Sequence, residues 1–148
     1  MLNDSAEQVQ VSGNRTGRRR NESTALGGGL APWQTKRVAA YIEANIDSNF
    51  RVVHLAAVLR LSATHFFRSF RKSFGETPLA YVTRQRMRRA QLMMLSSQEP
   101  LSQIALECGM CDQAHFNRVF RKVIGINPSV WRRSMPRSNS EPTPEHTT

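Results

Sequence analysis

One segment of this chain occurs twice. The segment HFFRSFRKSFGETP, from His65 to Pro78, returns fifty positions later as HFNRVFRKVIGINP, from His115 to Pro128. In both copies apolar residues recur every four positions and basic residues occupy other faces, which is the pattern of an amphipathic helix. A glycine and then a proline follow each apolar run, and these residues signal the end of one helix and the start of the next. The apolar positions are Phe66, Phe70 and Phe74 in the first copy and Phe116, Phe120 and Ile124 in the second.

A shorter helix is predicted before each copy. Ser62 and Asp112 are good capping residues and stand immediately before the repeated segments. The turn that ends at Asp112 is one residue longer than the turn that ends at Ser62. Two short helices joined by a tight turn, the second of them basic, are typical of a DNA-binding helix-turn-helix. The apolar residues of the short helices are Leu55, Ala56 and Leu59 in the first unit and Ile104, Ala105 and Cys108 in the second.

Three further helices are predicted around these two units. Residues 32–46 form an amphipathic helix that we expect to pack across the first helix-turn-helix, with Phe50 buried behind it. Residues 79–95 form the longest helix, about 25 Å in length, and a short helix ends the folded part. The apolar stripe of the long helix is Leu79, Val82, Met87, Ala90 and Met94.

The predicted fold is all-α, with two helix-turn-helix subdomains joined by a long linker helix and about seven helices in total. We expect polar, aperiodic and disordered tails at both ends of the chain. The predicted boundaries are 1–31 for the N-terminal tail, 32–133 for the DNA-binding domain and 134–148 for the C-terminal tail. Within the domain, the first helix-turn-helix spans about 52–74, the linker helix about 78–95 and the second helix-turn-helix about 101–124.

The segment GMCDQAHFNRVFRKVIGINPSVWRR resembles the C-terminal signature of the AraC/XylS transcription regulators, and the resemblance extends over Pro32 to Arg133. The chain departs from the family pattern at Met110, where an aromatic or large apolar residue is usual. Many members carry a separate ligand-binding domain, for which 148 residues leave no room. The chain therefore resembles the short stand-alone members. The resemblance also implies that Arg86 braces the core.

The net charge supports a polyanionic partner. The chain holds 21 Lys+Arg against 11 Asp+Glu, a net charge of +10, and the whole excess falls between Pro32 and Arg133. A basic domain without a particular partner is the alternative. No apolar run approaches the roughly 18 residues of a membrane span, and no apolar segment of a signal peptide follows Arg20. We therefore expect a cytoplasmic, nucleoid-associated protein with no membrane partner.

Base contacts are expected from the exposed side chains of the repeated helices. Arginine can donate two hydrogen bonds to guanine, asparagine or glutamine can pair with adenine, and threonine or alanine can touch a thymine methyl. The family resemblance supports every candidate except Arg71 and Arg121. For Phe67, contact with a thymine methyl and a partly buried core position are equally good interpretations. The candidates are Thr64, Phe67, Arg68, Arg71, Gln113, Ala114, Asn117, Arg118 and Arg121.

Phosphate contacts need positive charge but carry no sequence information. The candidates are Lys72, Arg84 and Lys122, together with the backbone amides at the starts of the repeated helices. A solvated surface position is the alternative for each of these cations.

Cysteine and histidine chemistry is the least supported interpretation. Cys108 and Cys111 have the C-x-x-C spacing of zinc and dithiol sites, but no second pair exists and Cys108 lies on a buried stripe. For these two cysteines, redox or metal sensing is the alternative to a structural role in the core. His65 and His115 lack further ligands at a suitable spacing and are expected to be structural. Since no acid, base or nucleophile constellation is present, we expect no catalytic residue, no metal, no cofactor and no enzyme activity.

These features predict a bacterial transcription regulator that binds double-stranded DNA as a monomer and reads two adjacent major-groove segments. The exposed faces of the two repeated helices differ, with Phe67 matched by Asn117 and Thr64 by Ala114, so an asymmetric site is expected. The resemblance implies RNA polymerase as a further partner. The alternative is a nonspecific architectural DNA-binding protein, in which phosphate contacts dominate.

Overall fold

The computed structural model describes residues 27–136, and within this range the fold is all-α with seven helices and no strand. The predicted fold class is therefore confirmed. The disordered tails predicted for residues 1–26 and 137–148 lie outside the described residues. The helices are α1 (Pro32–Ala44), α2 (Val53–Val58), α3 (Ala63–Phe74), α4 (Pro78–Ser96), α5 (Leu101–Glu107), α6 (Gln113–Ile124) and α7 (Pro128–Ser134).

The two repeated helices, α3 and α6, begin and end alike. The Ser62 side chain accepts a hydrogen bond from the His65 N–H, and the Asp112 side chain accepts one from the His115 N–H. Each cap satisfies one backbone donor at a helix start. Both helices end in a left-handed glycine, with φ of 75° in α3 and 96° in α6. The predicted helix signals are therefore confirmed at both copies.

Two separate hydrophobic cores lie on either side of the middle of α4. The first unit, made of α1 to α3 and the start of α4, surrounds Val38, Leu55, Phe66 and Val82 among its buried residues. The second unit, made of the rest of α4 and α5 to α7, encloses the other core. Since α4 contributes to both cores without interruption, it fixes one unit relative to the other. The second core contains Met87, Ala90, Met94, Ile104, Ala105, Cys108, Met110, Phe116, Phe120 and Trp131.

The duplication extends to ring packing. Phe66 and Phe70 lie 5.5 Å apart at 59°, and the equivalent pair in α6 lies 5.5 Å apart at 57°. Tyr81 meets Phe70 edge-on at 5.6 Å, and Trp131 meets Phe120 edge-on at 6.0 Å. Because the start of α4 and the helix α7 occupy equivalent places, each repeated helix packs against an aromatic residue of the helix that follows it.

The folded part begins earlier and ends later than the sequence predicted. Residues 27–31 were assigned to the N-terminal tail, but Leu30 and Ala31 are only 4% and 1% exposed. The Leu30 N–H donates a hydrogen bond of 2.7 Å to the Ser73 hydroxyl. At the other end Met135, assigned to the C-terminal tail, packs against the second core. Isolated apolar residues carry no periodic signal, which explains both errors.

Two predicted core positions are also wrong. Leu79 was placed on the buried stripe of the linker helix but is 63% exposed. Its neighbour Pro78 and the following Tyr81 and Val82 face the first core instead, and a helix turns by about 100° per residue, so Leu79 is directed outward. Phe50 is only half-buried, at the edge of the first core, with its ring 5.8 Å from that of Tyr41.

The two helix-turn-helix turns close with the same hydrogen bond but use different residues. In the first unit the Leu61 N–H donates to the Ala56 carbonyl at 3.0 Å, and the equivalent bond in the second unit is 2.9 Å long. This bond requires a left-handed residue just before the donor. Gly109 supplies it in the second unit, whereas Arg60, with φ of 54°, supplies it in the first. Arg60 is the one non-glycine residue with positive φ within residues 27–136.

Replacing Arg60 with glycine is expected to raise the free energy of unfolding by about 0.5–1 kcal/mol. Relief of the left-handed conformation contributes about 1–2 kcal/mol, and the greater entropy of glycine in the unfolded chain offsets part of it. Urea unfolding monitored by circular dichroism measures the change. Arg60→Ala is the control because it removes the exposed side chain but keeps the strain. A glycine variant no more stable than the alanine variant would contradict the prediction.

Arg86 joins the two units. Its Nε donates to the Ile46 carbonyl at 3.1 Å, and its Nη2 donates to the Ser48 carbonyl at 2.7 Å. Burial lowers the pKa of the guanidinium from its ordinary value, but the group stays charged. A Cβ built on Gly109 would lie 2.9 Å from the guanidinium carbon, so the turn of the second unit rests directly on this side chain. Arg86 therefore braces the junction between the two units, whereas the family resemblance implied that it braces the core.

Candidate nucleic-acid interface

The helices α3 and α6 present matching cationic faces. Each buries one face in its own core and exposes the other. Three basic residues stand at the same helical positions of both helices and are exposed in each. The last turn of each helix holds two of the three, where a positive charge also stabilises the helix dipole. The six residues are Arg68, Arg71 and Lys72 in α3 and Arg118, Arg121 and Lys122 in α6.

These six cations have no carboxylate partner within the described range. Between residues 27 and 136 the single ion pair joins Arg84 to Glu76. The hydrogen bonds that Arg84 donates to Glu76 raise the pKa of its guanidinium above its ordinary value. A phosphate would have to compete with Glu76 for Arg84, whereas the exposed cations of α3 and α6 carry no such competitor. Arg84 is therefore a weaker phosphate candidate than Lys72 or Lys122.

The small and polar candidates lie at the starts of α3 and α6, which occupy the position of the recognition helix in the two helix-turn-helix units. Thr64 is in the first turn of α3, Gln113 and Ala114 are in the first turn of α6, and all three side chains are exposed. This end of each helix also carries unpaired backbone N–H groups and the positive end of the helix dipole, which favour a phosphate nearby. The candidate base-reading side chains and the backbone amides that could bind phosphate therefore lie at the same ends, whereas Lys72 and Lys122 lie in the last turns.

Phe67 and Asn117 are only partly exposed, which agrees with the partly buried alternative for Phe67 and is less than predicted for Asn117. They occupy equivalent positions, and both are half-buried. The Phe67 ring lies 5.7 Å from that of Phe66, edge-on, and packs against the first core. The Asn117 Oδ1 is buried and has no hydrogen-bond partner. Each residue directly follows a buried phenylalanine, and a 100° step leaves its side chain at the border of the apolar stripe rather than on the open face.

Two polar contacts at the C-terminal end of α3 were not predicted from the sequence. Ser73 accepts the hydrogen bond from Leu30, and Glu76, just beyond the helix end, accepts from Arg84. Ser73 and Leu30 are 43 positions apart, and Glu76 and Arg84 are eight apart across a helix corner. Neither spacing follows from one helical period, so no local rule could have found these pairs.

The two cysteines lie in different environments. Cys108 is fully buried in the second core, and burial raises the pKa of its thiol to about 11. Cys111 is exposed in the turn before α6. Cys108 therefore fills the buried position that the helical pattern predicted. Within residues 27–136 no group of three or more His, Cys, Asp or Glu side chains could hold a metal ion.

The two thiols are expected to differ in reactivity. At pH 8 iodoacetamide should label one thiol in the folded protein and both in urea, because Cys108 is buried and protonated well below pH 11. Mass spectrometry after a timed quench measures the labelling. In Cys111→Ser the fast label should disappear. Fast labelling of Cys108 in that variant would contradict its place in the core.

None of the helices in the described range is long and apolar enough to cross a membrane.

Known proteins carry the same arrangement of helices. A family model described as a helix-turn-helix domain matches residues 55–134, just over half of the chain. The C-terminal domain of AraT, a response regulator from Geobacillus stearothermophilus, is 25% identical with a TM-score of 0.71 over 79% of this chain and 97% of that chain. The DNA-binding domain of AdpA, solved in complex with a target DNA, is 29% identical with a TM-score of 0.64 over 68% and 89%. Fold and paired basic helices thus define a helix-turn-helix DNA-binding domain.

A named relative indicates which family of helix-turn-helix DNA-binding proteins the chain belongs to. A Photobacterium leiognathi protein named "Probable transcriptional regulator LumQ" is 35% identical over 92 residues, which are 62% of this chain and 37% of that protein. The chain belongs to the AraC/XylS family of transcription regulators. It spans about a third of the length of the first curated relatives that it matches.

Proposed function

We propose that the protein is a sequence-specific transcription regulator that reads two adjacent major-groove segments of double-stranded DNA, one with α3 and one with α6. The observation that carries this proposal is the pair of unlike recognition helices on one uninterrupted linker helix. With 19 residues, α4 is about 28 Å long, close to the roughly 34 Å between major-groove segments on one face of B-DNA.

In this proposal the exposed residues of the two recognition helices divide the work. Arg68 and Arg118 lie in the middle of their helices and are the strongest candidates for guanine contacts. Phe67 and Asn117 reach DNA only with the exposed part of their side chains. The remaining base-reading residues are Thr64, Arg71, Gln113, Ala114 and Arg121, and the phosphate contacts are Lys72, Lys122 and, after release from Glu76, Arg84.

Further parts of the proposal follow from the two-unit arrangement and the family. Two unlike reading surfaces in one chain favour a monomer on an asymmetric site, because a symmetric site needs two equal surfaces. Membership in a family of transcription regulators supports RNA polymerase as a second partner, action at the nucleoid in the cytoplasm and no catalytic step.

Selection of binding sites from a random DNA pool tests the proposal. We expect one asymmetric motif with two informative blocks about one helical turn apart. No enrichment, combined with a steep dependence of affinity on salt, would instead establish a nonspecific architectural DNA-binding protein.

Arg68→Ala and Arg118→Ala should each weaken binding by roughly 1–3 kcal/mol and relax specificity in different blocks. The physical reason is the loss of a bidentate contact with a base in one groove segment only. Affinities for single-base variants of the selected site measure the effect. Lys36→Ala on α1 is the exposed-cation control and should leave the base preferences unchanged. If both arginine variants relaxed the same base pairs, the two-segment proposal would be wrong.

A further inference from the structure

A groove of about 480 Å³ lies between α1 and α4. Its lining residues belong to these two helices and to Ile46, just beyond the end of α1, and neither recognition helix contributes. Along α4 the lining extends from Tyr81 to Leu92, which corresponds to about 16 Å or three helical turns. A groove of this length can hold a helix of a partner protein.

The floor of the groove is apolar, and its edge exposes leucine. Ile42 and Ile46 line the groove and are themselves buried, so they form its floor. Leu92 lines the groove from α4 and is 60% exposed, and Leu95, three positions further along α4, is 55% exposed. Residues three apart are neighbours on a helix surface, so the two leucines form one apolar surface. Apolar side chains of a partner are stabilised on such a surface, whereas a phosphate would lose hydration there.

Two arginines give the groove an excess of positive charge. Arg88 and Arg89 line it and are exposed. Glu43 also lines it, from α1, but forms no ion pair with either arginine, since the ion pair of Arg84 with Glu76 is the only one between residues 27 and 136. The lining therefore carries one uncompensated positive charge, which is complementary to a partner with carboxylates.

We propose that this groove is a docking site for an acidic amphipathic helix of a partner protein. The apolar stripe of that helix packs on Ile46 and Leu92, and its carboxylates pair with Arg88 and Arg89. Because α3 and α6 do not line the groove, it stays open while they contact DNA. The site thus goes beyond the reading of DNA, since it brings a second protein to the bound chain.

A model peptide tests the chemistry of the groove. The probe is a helical peptide of about 15 residues, long enough for the three turns of the groove, with leucines along one face and glutamates beside them. Fluorescence anisotropy with the full chain should give a dissociation constant of roughly 10–100 µM. The same peptide with lysine in place of every glutamate should bind at least about tenfold more weakly. Equal binding of the two peptides, or no binding of the acidic one, overturns the proposal.

Charge reversal locates the binding. Arg88→Glu/Arg89→Glu should weaken binding of the acidic peptide at least about tenfold and strengthen binding of the lysine peptide. Arg121→Glu/Lys122→Glu, at an exposed adjacent pair on α6 outside the groove, makes the same change in net charge. This control should keep its affinity for the acidic peptide within about twofold, because salt screens distant charges. An equal loss in both variants would mean that only net charge matters, and the docking site would be wrong.

Two leucines of α4 form a matched pair for the apolar contact. Leu92 and Leu79 are 60% and 63% exposed, and Leu79 does not line the groove. Leu92→Ala should weaken binding of the acidic peptide roughly threefold to tenfold, and Leu79→Ala should leave it unchanged. The same affinity in both variants contradicts the proposal. Sedimentation of the chain alone provides a further check, because a dimer that Leu92→Ala dissociates would assign the groove to a second copy instead.

DNA separates this inference from the proposed function. Saturating the chain with a DNA duplex should leave its affinity for the acidic peptide unchanged, and displacement of the peptide by DNA would make the groove a phosphate surface and overturn the inference. Site selection is then carried out with the wild-type chain and with Arg88→Glu/Arg89→Glu. If both enrich the same sequence but the acidic peptide does not bind, only this inference fails. If neither enriches a sequence but the peptide binds in the groove, only the proposed function fails.

Discussion

Replacing Gly109 with alanine is expected to lower the free energy of unfolding by about 2–5 kcal/mol. Two costs add at this position. With φ of 68°, an alanine would occupy the left-handed region, which costs about 1–2 kcal/mol. Its Cβ would also lie 2.8 Å from the Ile46 carbonyl oxygen and 2.9 Å from the Arg86 guanidinium. Neither neighbour can yield freely, because Arg86 is held by hydrogen bonds to Ile46 and Ser48.

Gly75 and Gly125 provide matched controls for this prediction. Both have positive φ, but a Cβ at either position would meet no atom within 4 Å. Gly75→Ala and Gly125→Ala should therefore cost only the conformational 1–2 kcal/mol. Urea or thermal unfolding of the three variants under one set of conditions measures the difference. If Gly109→Ala were no worse than the controls, the tight contact with Arg86 would not contribute to stability.

Phe120→Ala should lower the free energy of unfolding by about 3–5 kcal/mol, and the damage should be confined to the second unit. Phe120 is fully buried among residues of α4, α5, α6 and α7 and belongs to a core that shares no residue with the first. Hydrogen exchange followed by mass spectrometry should therefore show lost protection in α5 to α7 and retained protection in α1 to α3.

Phe70→Ala is the reciprocal variant. It opens the equivalent position of the first core and should reverse the exchange pattern, with α1 to α3 exposed and α5 to α7 protected. If either substitution exposed both units equally, the two cores would form one cooperative unit despite their separation.

Local signals predicted the helices and their ends because those features depend on neighbouring residues. The caps at Ser62 and Asp112 and the buried position of Cys108 all follow from spacing within one turn or one helical period. The duplication strengthened each of these predictions, because the same helix signals occur independently in both copies. The all-α class and the two-unit arrangement followed directly.

Contacts between distant residues could not be predicted in this way. The anchoring of Leu30 by Ser73 and the pairing of Arg84 with Glu76 depend on how helices meet, which no single-helix pattern contains. Phe67 and Asn117 illustrate the same limit on a smaller scale. Both lie at the border of an apolar stripe, where the neighbouring helix and not the helical period decides how much of the side chain is covered.

The continuity of α4 constrains how the gene for this protein can vary. Val82 belongs to the first core and Met87 to the second, and only four residues of unbroken helix lie between them. A single inserted codon in this interval would rotate one unit against the other by about 100° and shift it by about 1.5 Å. An insertion in a loop between other helices can be accommodated by a change of the loop's conformation. An insertion in this interval instead changes the orientation of one unit relative to the other. Viable insertions and deletions are therefore expected in the loops and not in this interval, because the placement of α3 relative to α6 depends on it.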